Sequence, residues 1–215
     1  MHILSDIEED YLRQIFDFHC DSPGSIVKTT QLADTMNVSP ASTTEMIQRL
    51  SARDMITHVP YKGCRLTPSG FQLAARLKRR EYLIQILLSE VIGYGGDIFT
   101  ASSQIAHVID DDLEATLDRL LGYPERTSDG TKIPSIERTL KPISKGILLP
   151  ISAIPINSEA EIELIIASDV EKVTLSESGI SIGAIVSNKE GQIYCESKGL
   201  FVSPEISKRL LARII

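Results

Sequence analysis

The sequence predicts a mainly α-helical chain with a small β domain at its C-terminal end. Three observations carry that prediction. The first eighty residues hold short capped helical stretches followed by a hairpin pattern. The middle holds longer stretches with apolar residues at helical spacing. From residue 151 onward, short alternating or continuous apolar runs are separated by turn residues.

Residues 7–19 read as a first helix, capped by Ser5 or Asp6, with acids in its first turn that suit the positive end of the helix dipole. Tyr11, Leu12, Ile15 and Phe16 face inward. Residues 29–36 read as a shorter helix with Leu32, Ala33 and Met36 inward, and Asn37 is placed for a turn. Ser39 is then an N-cap and Pro40 takes the first helical position, where no amide hydrogen is needed. Met46, Ile47 and Leu50 form an apolar stripe, and the other face offers Ser42, Thr43, Gln48 and Arg49. Helix, tight turn and capped second helix form a helix-turn-helix pattern. Residues 53–59 turn into a strand, residues 61–65 form a hairpin tip, and Leu66 begins the return strand, which makes a wing. The expectation is a helix lying in a major groove, entered at Ser39 and Pro40, with Ser42, Thr43, Thr44, Gln48 and Arg49 as contacts. Lys28, Lys62 and Arg65 are expected to clamp phosphates.

A long helix is expected over residues 69–92, stopped by the glycines that follow. Its second half (Leu83, Ile84, Ile86, Leu87, Leu88) is apolar over more than one face, which points to a dimer contact. Residues 97–108 form another helix. Asp110, Asp111 and Asp112 open the next, most simply as an N-cap with dipole-favoured neighbours. Domain boundaries are expected at 1–70 (winged helix), 71–138 (helical dimerisation domain), 139–150 (linker) and 151–215 (β domain). Within the last, residues 160–166, 170–175, 181–186, 191–196 and 199–202 are read as five strands of a small barrel or sandwich, and 206–213 as a closing helix.

Composition narrows the class. The net charge is −7, yet residues 1–80 carry ten Lys/Arg against nine Asp/Glu while residues 81–140 carry four against eleven, so the local field near the wing matters more than the total. Cys20, Cys64 and Cys195 are far apart with no CxxC pair, which argues against a zinc ribbon or a disulfide scaffold and for a reducing, cytoplasmic setting. No apolar run reaches the roughly 20 residues of a membrane span, and no secretory signal is expected. Tryptophan is absent and aromatics are few, which disfavours a stacking platform for single strands.

The stretches Glu9-Asp10-Tyr11-Leu12 with Ile15, Val38-Ser39-Pro40, Thr44-Glu45-Met46-Ile47, Leu66-Thr67 and Leu120-Leu121-Gly122-Tyr123-Pro124, followed by Gly130 and Ile133-Pro134, occur in an order that resembles the diphtheria-toxin-repressor family of metal-dependent regulators. The manganese-responsive, three-domain branch is the most similar. The resemblance spans nearly the whole chain. It implies a winged helix, a helical dimerisation and metal domain, and a C-terminal SH3-like barrel. It further implies a homodimer that binds palindromic operator DNA when loaded with Mn(II) or Fe(II) and represses metal-uptake genes.

At the positions where that family carries its primary metal ligands, this chain reads Asp10, Ser103, Ala106 and His107; at the second site it reads Glu81, Gln85 and Phe99, and in the loop Thr127 and Asp129. A rearranged site using Asp10, Glu81 and His107, with Ser103 beside it, is one reading. Loss of metal dependence, with constitutive binding or a non-metal effector, is a second. Redox control through Cys64 in the wing is a third. Glu161, Glu163, Asp169 and Glu171 offer further carboxylates, read first as a solvated strand face. A biotin-ligase-type enzyme also pairs a winged helix with a small barrel, but residues 81–140 contain no adenylate-binding loop, and no nucleophile–base pair is visible.

Overall fold

The computed structural model describes residues 4–136, 143–196 and 198–215. The chain divides into two compact units, residues 1–82 with 100–108 and 132–137, and residues 83–99 with 109–131 and 138–215.

The first unit begins with α1 (Asp6–Asp21). Ser5 and Glu8 form a reciprocal cap, in which the Ser5 amide donates to Glu8 Oε2 at 2.8 Å and the Glu8 amide to Ser5 Oγ at 3.4 Å. Next come α2 (Thr29–Met36), which ends on Asn37 in the left-handed conformation (φ 54°), and α3 (Pro40–Ala52). At α3 the Ser42 amide donates to Ser39 Oγ at 3.1 Å, the predicted cap, worth about 1 kcal/mol. Strands β1 (Ile56–Val59) and β2 (Gly63–Leu66) pair antiparallel, Ile56 opposite Leu66 and Val59 opposite Gly63. Val27 adds a bridge to Cys64, with 2.9 Å hydrogen bonds in both directions. Tyr11, Leu12, Ile15, Val27, Leu32, Ile47, Leu50, Ile56 and Cys64 share one buried core. α4 (Pro68–Ile86) follows and continues as a π-helical stretch, Leu87–Ile92, that Gly93 stops in the left-handed region.

The hairpin corrects one expectation. Its tip is residues 60–62, and β2 already starts at Gly63, so Cys64 and Arg65 are strand residues. Cys64 is 0% exposed and faces the core, and burial pushes its thiol up to about 12. A wing thiol open to oxidation is therefore not what the fold provides. The backbone packs closely where glycine permits: a Cβ on Gly63 (φ +133°), at the start of β2, would lie 2.0 Å from the Val27 carbonyl oxygen, and one on Gly70, in the first turn of α4, 1.7 Å from that of Met55.

In the second unit, Leu83, Ile84 and Ile86 are buried within the chain, while Leu87 and Leu88 are half-buried and Ile92 is exposed. α5 (Ile98–Ala106) belongs to the first unit from residue 100 on, and α6 (Asp111–Leu120), in the second, is capped by Asp110, which accepts from the Leu113 amide at 2.7 Å. The β domain is a six-stranded antiparallel sheet in the order β3 (Leu148–Pro150), β8 (Leu210–Ile214), β4 (Ser158–Ile165), β5 (Ile185–Lys189), β6 (Gln192–Cys195), β7 (Lys198–Gly199). Its core gathers Leu149, Ile151, Ala160, Ile162, Val186, Leu210 and Ala212.

Three expectations fail here. Residues 170–175 are not a strand but part of α7 (Asp169–Glu177). Ser168 and Glu171 form a reciprocal cap, and the hydrogen bond from Arg209 at 2.7 Å, with those from Ser168, brings the Glu171 carboxyl down to about 2. The closing helix is only α8 (Pro204–Arg209); residues 210–214 are a strand buried between β3 and β4. Part of the expected linker, residues 148–150, is β3, while residues 139–142 lie outside the described residues.

Two outcomes follow from the first unit. Gly70→Ala forces the Met55 backbone aside and is expected to lower stability by about 2–3 kcal/mol in urea unfolding. In the folded protein at neutral pH, iodoacetamide is expected to modify exposed Cys20 and to spare Cys64 until denaturant is added, because so high a pKa leaves almost no thiolate.

Candidate functional site: a nucleic-acid interface and a buried cation cluster

Two features of the first unit carry chemistry. One is the surface formed by α3, the start of α2 and the hairpin tip. Ser39, Pro40, Ser42, Gln48 and Arg49 are exposed on it, as are Lys28, Lys62 and Arg65, and Thr44 is half-buried. A groove there is lined by Lys28, Thr29, Pro40, Thr44, His58, Tyr61 and Lys62. It collects two helix N-termini, whose free amides and dipoles favour anions, with two ammonium groups. Tyr61 stands fully exposed at the tip with φ 62°, and it and His58 are groove residues that the sequence reading passed over. An aromatic at a hairpin tip was the available signal.

Thr43 does not belong to this surface. It is 0% exposed; its Oγ1 donates to the Ser39 carbonyl at 3.2 Å and shares a 3.3 Å hydrogen bond with the Tyr11 hydroxyl. The residue thus ties α3 to α1. Arg53, at the C-terminal end of α3, adds a second tie, 3.5 Å from buried Glu8. Leu12 and Ile15 of α1 and Ile47 and Leu50 of α3 belong to the same buried core.

The other feature lies along α1, among Asp10, Arg13 and Glu9. The structure brings Asp10, Glu81 and His107 together, but around a guanidinium. Arg13 is 3% exposed. Its Nη2 donates to Asp10 and, at 2.7 Å, to His107 Nε2; its Nη1 donates to Glu81 Oε2 and to the Ser103 carbonyl, each at 3.3 Å. A guanidinium can only donate, so His107 Nε2 must accept and the ring proton sits on Nδ1, which donates to Glu9 Oε2 at 2.7 Å. Glu81 faces a second cation, Lys78, at 3.5 Å, and Lys78 also donates to Asp17 at 3.2 Å. Burial alone would lower the Lys78 pKa, but Glu81 and Asp17 outweigh it and hold the ammonium above its usual range. Burial pushes Asp17 up, with Lys78 pulling the other way.

These residues do not fit a divalent metal. Mn(II) and Fe(II) take five or six N/O donors. Here Ala106 supplies none, Ser103 turns its carbonyl to Arg13, and the lone pair of His107 is already taken. Among the described residues no group of three or more His, Cys, Asp or Glu side chains is placed to hold an ion. Of the remaining second-site and loop positions, Phe99 is exposed, and Thr127 and Asp129 hydrogen-bond to each other within their loop. Glu163 and Glu171 pair with Arg213 and Arg209. The sequence reading missed Arg13 altogether. The signal was its place one helical turn from Asp10, on the same face of α1.

Residues 3–64 match the model of the iron dependent repressor N-terminal DNA binding domain, and residues 67–135 that of the iron dependent repressor metal binding and dimerisation domain. An uncharacterised HTH-type transcriptional regulator of Methanocaldococcus jannaschii is 32% identical over 124 residues, covering 56% of this chain and 94% of that protein. The diphtheria toxin repressor of Corynebacterium glutamicum is 26% identical over 213 residues, 93% of this chain and 91% of the relative. The crystal structure of T. acidophilum IdeR superposes with a TM-score of 0.53 at 21% identity over the full length of both chains, a likeness of fold. With the helix-turn-helix and its wing in place, these matches settle the class: the chain belongs to the iron-dependent repressor family of DNA-binding transcriptional regulators, and it is not an enzyme.

Proposed function

We propose that this protein is a homodimeric repressor that reads a palindromic operator in double-stranded DNA, each protomer inserting α3 into the major groove. The observation that supports it best is the exposed face of α3, with Ser42, Gln48 and Arg49 outward beside the cationic groove of Lys28 and Lys62. Ser39, Pro40 and Thr44 would line the entry of that helix. Lys28, Lys62 and Arg65 would hold phosphates on either side of it. Thr43 is replaced in the contact set by Tyr61. A dimer contact is supported by Ile105 and Val108, large apolar side chains left open on and just beyond α5, 38% and 79% exposed.

Membership of the family brings genes of metal homeostasis as the regulated class and Mn(II) or Fe(II) as the effector class. The donor set around Asp10 and His107 does not fit those ions, so operator recognition is derived from the winged helix alone. No helix among the described residues is long and apolar enough to cross a membrane.

Operator sequences are obtained by selection from a random duplex pool, and affinity is measured at fixed salt. Arg49→Ala is expected to weaken binding by about 1–3 kcal/mol and to relax preference at one base pair per half-site. Lys62→Ala is expected to weaken all sequences alike and to flatten the salt dependence by about one ion per chain. Unchanged affinity and sequence preference in Arg49→Ala would remove Arg49 from the interface.

A further inference from the structure

We infer that the Arg13 guanidinium is a built-in cation that fastens α1 to α5 and α4, and that a divalent metal acting on this repressor does so at a place other than Asp10 and His107. The inference rests on the reading of the chain as an operator-binding repressor.

The donor atoms decide it. Glu9 orients the His107 ring from Nδ1, and the Nε2 lone pair points to Arg13 Nη2 at 2.7 Å. A carboxylate behind an imidazole is how proteins aim a histidine at a metal. Here the same device aims it at an N–H. Asp10 meets the same nitrogen, and Glu81 and the Ser103 carbonyl meet the other. Arginine keeps its charge at every accessible pH and its donors lie in a fixed plane. The junction is therefore closed by a cation that neither dissociates nor needs supplying. An ion entering between Asp10 and His107 would have to take both acceptors of Arg13 Nη2 and bring a second cation against a buried guanidinium.

The position of α1 turns this into control of DNA binding. α1 holds α3 through Tyr11–Thr43 and Glu8–Arg53, and Asp10 and Arg13 alternate with these residues along it. A helix fixed at one face fixes what packs on the other. Arg13 is a positioning residue for α3, which it does not touch.

The test uses the full chain. Mn(II) binding is followed by the electron paramagnetic resonance of the free ion in the wild type, His107→Gln and Asp10→Asn. The three isotherms are expected to coincide. One Mn(II) per chain in the wild type, abolished by either substitution, would overturn the inference. In parallel, Arg13→Ala is expected to lose at least ten-fold in operator affinity in chelator, with Arg13→Lys in between. A folded Arg13→Ala of unchanged affinity would overturn the positioning role. The metal titration requires no Arg13 variant to fold. It also requires no DNA, so a chain that binds no operator in any form refutes the functional reading while the isotherms still decide the metal question.

Discussion

A guanidinium removed from water must find acceptors in its own plane, and the first unit is arranged around that requirement. Arg13 meets Asp10 on its own helix, Glu81 on α4, and His107 and the Ser103 carbonyl in and just beyond α5. Arg13 and Glu81 are both largely out of water, so each depends on the charge of the other. Three segments far apart in sequence are therefore held at one point. The same α1 carries Tyr11 and Glu8 to α3 and its C-terminal end, so α1 is the element that joins the cluster to the helix proposed to enter the major groove.

The recognition half was legible in the sequence because its signals are local. Ser39-Pro40 states a cap and a first turn within two residues, and the structure has both. Asn37 marks a left-handed turn by its own tolerance of φ > 0. Local signals were also present where the reading failed. Ser168 and Glu171 have the capping-box spacing, yet Val170 and Val173 suggested a strand. Both valines lie exposed on α7, so burial did not select them. In residues 210–214 an apolar run following a helix was continued as helix. Its place between β3 and β4 depends on pairing with strands some fifty to sixty residues earlier, which no local window contains.

The site was legible in its members and not in its meaning. Family positions led to Asp10, Glu81 and His107, and these do converge. What joins them is a side chain whose direction depends on tertiary packing, since an arginine on α1 could equally have reached solvent. Thr43 teaches the same lesson at the other site. Helical spacing put it beside Ser42 on the outer face, but α1 packs close enough to take its hydroxyl inside.

The most direct test of the account is the metal dependence of operator affinity in the wild type and in His107→Gln. Labelled operator is titrated at fixed salt in chelator and then with Mn(II), Fe(II), Co(II) or Zn(II) in turn. The ratio of affinities with and without metal is expected to be the same in both proteins. A tightening of ten-fold or more in the wild type that disappears in His107→Gln would contradict it, by showing that an ion takes the place assigned to Arg13.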